Sequence, residues 1–356
     1  MEAKLGIKKL RQYHQITFWI FLTLNLILHI GLFGARNLFN VGNYPGGLEQ
    51  ENFLEYVQSL KSGNFPDDLL HEDTRLFPGL PLLIFLLSFI LKSEVGAGLI
   101  ISLIGLLITF GVVWYFTKQP IFSLWVTVFP PIVLEQTSKI STEALVIALY
   151  MLIFFYLSKK KYLFASLLCG YATIVRPISL SLFLALLIFL IKNDERNAVV
   201  QCLVAYSISP FFLAFFNIYH WGQSALFYQI PVNMAVGRVA PGFLQWFKDI
   251  FRTIAWRQWR ILFSGVLYTI FAFFVLIKTL KTKGTFFFKN DDFFVKSWSL
   301  LSIIFIFILG PTPFLEELRR YLAVFFPLAL LANFHYFYNK KIFFYLSFLM
   351  IFWVIF

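Results

Sequence analysis

Four groups of ionisable residues interrupt an otherwise apolar chain, and each offers chemistry. The first is acidic. Glu49, Glu51, Glu55, Asp67, Asp68, Glu72 and Asp73 lie between Arg36 and Arg75, and with Glu94 just past the next apolar run they make eight of the eighteen carboxylates. A carboxylate close to a membrane surface is suited to take a proton from an attacking hydroxyl. Glu49 and Glu51 are the candidates for that base, although the same residues also suit a helix N-terminus. The second group is His71-Glu72-Asp73-Thr74-Arg75. His71 beside Glu72 and Asp73 could bind a metal or orient a substrate, and the order of residues fits no specific ligand motif. The third is the pair Glu143 and Arg176, each beside an apolar run. Ionisable groups at membrane depth are costly, so each needs a partner or a wet cavity. The fourth is Glu316-Glu317-Leu318-Arg319-Arg320-Tyr321. Its arginines suit phosphate, which a planar guanidinium meets with two parallel hydrogen bonds. Each group also has a plain reading as a solvated turn or an interfacial cap.

These residues have to be held by something. Phe53, Tyr56, Val57 and Leu60 recur at spacings of three and four, which predicts a short amphipathic helix over 46–63. Gly63 is its natural stop. Glu49 then sits near the start of that helix. Glu143 opens an apolar helix within Ser141-Thr142-Glu143-Ala144-Leu145, and Arg176 precedes Pro177, which must break the long apolar stretch 162–192.

Composition sets the class. The chain of 356 residues is 59% hydrophobic and 13% charged, about half the charge of an ordinary soluble domain. With a mean hydropathy of +0.77 it reads as an all-α, polytopic transmembrane helical bundle. The net charge of +12 does not point to nucleic acid, because the basic residues lie in short clusters beside apolar runs, as the positive-inside bias requires. Cys169 and Cys202 fall in apolar runs and read as small core residues. The first apolar run lacks a small-residue cleavage site and is expected to stay as an anchor.

A crossing needs about 20 apolar residues. Candidate crossings are 16–34, 96–116, 120–135, 142–158, 198–218, 260–278, 297–310, 321–338 and 342–356, with two short ones meeting at Arg176-Pro177. The run 77–91 is short and begins Phe77-Pro78-Gly79-Leu80-Pro81. If it crossed, Lys159, Lys160 and Lys161 would face the acidic loop. The expectation is therefore about eleven crossings plus one re-entrant or interfacial helix, with the N-terminus cytoplasmic. The expected modules are 1–219, carrying the outer acidic loop 35–76, and 220–356, carrying the outer loop 219–259. The four charged groups then share the extracytoplasmic face.

In this order the motifs resemble the GT-C superfamily of integral-membrane glycosyltransferases, closest to the PIG-V-type (GPI mannosyltransferase-like) family and its bacterial relatives. The resemblance rests on Glu49 through Gly63, on Leu76-Phe77-Pro78-Gly79-Leu80-Pro81-Leu82-Leu83-Ile84, and on Ser141-Thr142-Glu143. It rests further on Arg176-Pro177, on Gly222 to Tyr228, and on Arg320-Tyr321-Leu322-Ala323-Val324-Phe325-Phe326-Pro327-Leu328. It covers most of the chain in degenerate motifs, and their order carries more weight than any single match. The family's first-loop acid is usually Asp, where this chain has Glu49, with Glu51 and Glu55 as alternatives.

The resemblance implies inverting transfer of a hexose, mannose being the commonest association, from a polyprenyl-phosphate-sugar donor to a lipid or glycan acceptor hydroxyl. The membrane would be a bacterial plasma membrane or the endoplasmic reticulum. It implies Glu49 or Glu51 as base. Arg176, Arg320 and Arg75 would meet the phosphate, and Glu143, His71 and Tyr321 would complete substrate binding. No organic cofactor and no dedicated metal site is implied, and a need for a divalent metal is left open. A lipid or oligosaccharide transporter is the rival class. It would place charges along a path through the bilayer.

Overall fold

The computed structural model describes residues 2–38, 47–64, 77–222, 229, 250–251, 254–255, 259–281, 287–288, 290–309 and 314–355. Among these the chain is 89% helical, with no strand. Among the described residues three helices are long and apolar enough to cross a membrane, Gln15–Leu32, Glu94–Thr117 and Arg196–His220, or four if a bent pair is counted as one. The two free cysteines are buried, as small core residues.

Helix α1 spans Glu2–Leu38, and α2, Gly47–Ser62, follows the expected amphipathic segment. Its stripe is turned inward, with Phe53, Tyr56 and Val57 buried, while Glu55 and Gln58 on the opposite face are exposed. Gly63 closes it with φ +71°, in the left-handed region that a glycine enters without a Cβ clash. Next come α3, Gly79–Leu91, and α4, Glu94–Thr117. Ser93 caps α4 by accepting a hydrogen bond from the Gly96 N–H at 3.0 Å.

The run 120–135, expected as one crossing, is two helices, α5 (Pro120–Val128) and α6 (Pro131–Thr137). The physical reason is the Pro130-Pro131 pair, which removes two backbone donors and forces the chain out of helical geometry before α6 restarts with proline at its first turn. Then follow α7 (Thr142–Ser158) and α8 (Tyr162–Val175). A 3₁₀ turn at Pro177–Ser179 leads into α9 (Leu180–Lys192) and then α10 (Arg196–Trp221). The break at Arg176-Pro177 falls where proline predicts it. After it come α11 (Trp259–Lys281), α12 (Asp291–Leu309), α13 (Phe314–Ala332), α14 (Phe334–Phe337) and α15 (Lys340–Ile355). The run expected at 321–338 instead begins at Phe314 and ends at Ala332. The acidic and basic residues ahead of Arg320 thus form the first turns of that helix.

Two ends of the bundle are defined by contacts between distant residues. At one end His29 meets Thr137, Ser102 donates to the Lys139 carbonyl, and a Cβ at Gly79 would lie 2.5 Å from Val175. At the other, Tyr338 donates to Gln119, Asn290 donates to Asn193, and Phe154 packs on Phe287 and Phe288. Helices α4 and α7 run parallel, Gly105 lying against Ala144 and Tyr115 against Phe155, with α5 and α6 returning between them. Lys118, Lys159 and Lys192 fall at the second end, and Lys278 lies there over Tyr336. Helix α3 begins beside Val175 and ends two residues before α4, whose Glu94 pairs with Lys61 at 2.9 Å. Both of its ends therefore stay on the half of the bundle that holds His29, Glu143 and Arg176.

Candidate functional site

Glu143 is the centre of the site. Ser141 caps α7, its Oγ accepting from the Ala144 N–H at 3.3 Å and donating to the Gln136 carbonyl at 2.7 Å. The cap ties the start of α7 to the end of α6, across a bend of 106°. Glu143 lies in the first turn of α7, where the helix dipole favours negative charge. Arg176 closes α8 in an extended conformation, as a residue before proline must. It stands at the helix end that favours a cation. Arg320 comes from the second turn of α13.

These three side chains meet. Arg176 Nη2 donates to Glu143 Oε1 at 2.6 Å, and Arg320 Nε donates to the same oxygen at 2.7 Å. The other carboxylate oxygen accepts from the Thr142 hydroxyl at 3.1 Å. Arg176 Nε donates to Thr142 Oγ1 at 3.0 Å, and the Tyr321 ring lies 5.0 Å from the Arg176 guanidinium carbon. Glu143 is fully buried, whereas the Arg176 and Arg320 side chains keep 12% and 20% of their surface in contact with the outside. Close by, Lys139 Nζ lies 4.0 Å from Glu135.

Arg176 Nη1 is buried with no hydrogen-bond partner, so this guanidinium keeps one donor unused beside the carboxylate it already serves. A carboxylate already holding two guanidiniums and a hydroxyl is an orienting group. It fixes two cationic forks, partly open to the outside, at one spot, and such forks suit a monoanionic phosphoryl group.

Of the sequence-predicted residues, Glu143, Arg176, Arg320 and Tyr321 come together. His71, Arg75 and the segment following Gly222 lie outside the described residues, as do the Glu49 and Glu51 side chains. The register of α2 still separates these two positions. Position 49 shares a face with buried Phe53 and Tyr56, whereas position 51 shares one with exposed Glu55 and Gln58. Helix α2 belongs to the same end of the bundle as Glu143, through Lys61 and Glu94. Sequence reasoning missed Thr142, which serves both Arg176 and Glu143. Its signal was present as the hydroxyl between a capping serine and the glutamate. It also missed Gly79, whose missing side chain lets α3 press against Ile174 and Val175 just before Arg176.

No protein-family model matches this sequence, and no curated protein matches it.

Proposed function

We propose that this chain is an integral-membrane glycosyltransferase of the GT-C kind, moving a sugar from a polyprenyl-phosphate-linked donor to an acceptor hydroxyl at the extracytoplasmic face. The observation that carries the reading is the Glu143–Arg176–Arg320 cluster, two partly exposed guanidiniums fixed on one buried carboxylate, with Arg176 Nη1 buried and without a hydrogen-bond partner. A lipid phosphate leaving group develops negative charge as the glycosidic bond breaks, and preoriented cations stabilise it most where water is scarce. Glu143 holds the two arginines in place, and Tyr321 backs Arg176. The base is Glu49, chosen over Glu51 because its position lies on the inward face of α2. The family resemblance assigns His71 and Arg75, which lie outside the described residues, to donor and acceptor binding. The donor's polyprenyl tail stays in lipid while its phosphate meets Arg176 and Arg320 at the outer face.

The membrane topology under this reading has about eleven crossings, the lysine-rich end cytoplasmic and α3 remaining on the outer side. Support comes from the separation of the ends. Lys118, Lys159 and Lys192 gather at one, and Glu94, Glu135 and Glu143 at the other. The rival transporter reading asks for charges along the interior. Among the described residues the buried ionised groups stand at the two ends, Lys139 and Glu143 at one and Asp291 at the other, which favours a surface site.

The test is direct. The purified chain is incubated with a panel of polyprenyl-phosphate sugars, and release of the glycosyl group to an acceptor is followed. Transfer from one donor, lost in Arg320→Ala with weakened donor binding, is the expected result. No turnover of any donor, together with transbilayer movement of a lipid-linked sugar in vesicles, would overturn the reading in favour of transport.

A further inference from the structure

We propose that the lysine-rich end of the bundle carries a binding site for an anionic phospholipid headgroup, built around Tyr115 by Lys118 and Lys159. The inference rests on the membrane placement of the chain and is independent of the transferase reading.

Tyr115 lies in the last turn of α4, a helix of 24 residues and so about 36 Å long, enough to cross a bilayer and put its end at headgroup level. Lys118 Nζ stands 4.8 Å from the centres of both the Trp114 and Tyr115 rings. Lys159 Nζ, from the end of α7, stands 4.8 Å from the Tyr115 ring and donates a hydrogen bond to the Tyr115 hydroxyl. Two ammoniums from two helices are thus held on one ring, where a surface lysine would ordinarily be free to turn.

Among the described residues, Lys118, Lys159, Lys160 and Lys161 make no ion pair with a carboxylate. Of the carboxylates at the same end, Asp292 is occupied by Lys296, Asp291 accepts from the backbone N–H groups of Phe287 and Phe288, and Asp194 and Glu195 in the turn before α10 make no described ion pair with Lys118 or Lys159. Immediately beyond the lysines, Leu163 and Phe164 are about half exposed, 44% and 52%. A soluble polyanion finds no use for that apolar border. A phospholipid does, since its phosphate meets the ammoniums while its acyl chains lie along Leu163, Phe164 and the edge of Tyr115.

Lys340 and Lys341 supply the control. They are exposed at the same end, with no described aromatic ring beneath them. The full-length protein is taken into detergent micelles, supplied with phosphatidylglycerol or phosphatidylcholine, and weighed intact by native mass spectrometry. Retained phosphatidylglycerol is the expected result. Binding should weaken by roughly five-fold per lysine removed, so about 25-fold in the Lys118→Gln/Lys159→Gln variant and much less in Lys340→Gln/Lys341→Gln. Equal retention of phosphatidylcholine would overturn the proposal. Equal losses in the two double variants would overturn it too, since they would mean a diffuse basic surface. Displacement of the lipid by millimolar inorganic phosphate would also overturn it, by showing a site for free phosphate. All of these readouts stand whether or not the chain transfers sugar.

Discussion

Replacing Glu143 by Gln tests the centre of the argument, because it removes one charge and almost no volume. In the native site two guanidinium nitrogens lie 2.6 and 2.7 Å from the same carboxylate oxygen, so they are at most about 5 Å apart. Without the carboxylate charge, two like charges at that separation repel by about 3 kcal/mol at an effective dielectric of about 20. Both arginines are less than a quarter exposed, so solvent screens little of this. Removing one partner of a buried ionic cluster costs about 3–5 kcal/mol in general, and Glu143→Gln is expected within that range. The assay is equilibrium unfolding in mixed detergent micelles, followed by the loss of helical signal. The double variant Glu143→Gln/Arg320→Gln removes the repulsion as well as the attraction. Its loss should fall short of the sum of the two single losses by at least about 1 kcal/mol. A Glu143→Gln protein destabilised by less than about 1 kcal/mol, or strictly additive single and double losses, would refute the idea that the carboxylate organises the two arginines.

Three further outcomes follow from the same geometry. Glu49→Gln is expected to abolish sugar transfer with unfolding unchanged; full activity would shift the role of base to Glu51 or remove it from α2. Gly79→Ala places a methyl 2.5 Å from the Val175 side chain and 2.8 Å from the Ile174 carbonyl, so α3 must shift. The cost should be about 1–3 kcal/mol, with weaker donor binding because Arg176 is the next residue along, and a neutral substitution would show that the contact relaxes freely. Accessibility reporters at Glu94 and at Lys118 should read opposite sides of the membrane, Glu94 extracytoplasmic; the same side for both, or a cytoplasmic Glu94, would overturn the topology.

Much of this molecule can be read along the chain, because membrane insertion and local backbone chemistry act on neighbours in sequence. Apolar length separates the helices. The three-and-four spacing of Phe53, Tyr56, Val57 and Leu60 sets the buried face of α2, and Gly63 and Pro177 end their segments by backbone chemistry alone. Pro130 and Pro131 carried the same kind of signal, and their break at the start of α6 is the local rule applied to a run whose apolar length hid it. What composition and periodicity do not contain is pairing. Arg320 stands 177 residues from Glu143, and nothing in either local pattern tells whether that arginine meets the carboxylate, a headgroup or water. The packing of α13 against α6 and α7 decided it, together with the absence of a side chain at Gly79 and the Thr142 hydroxyl that serves both charges. The physical reason is range: propensity and burial are summed over a few residues at a time, whereas an ion pair depends on the three-dimensional placement of atoms that the chain brings close only after the helices have packed.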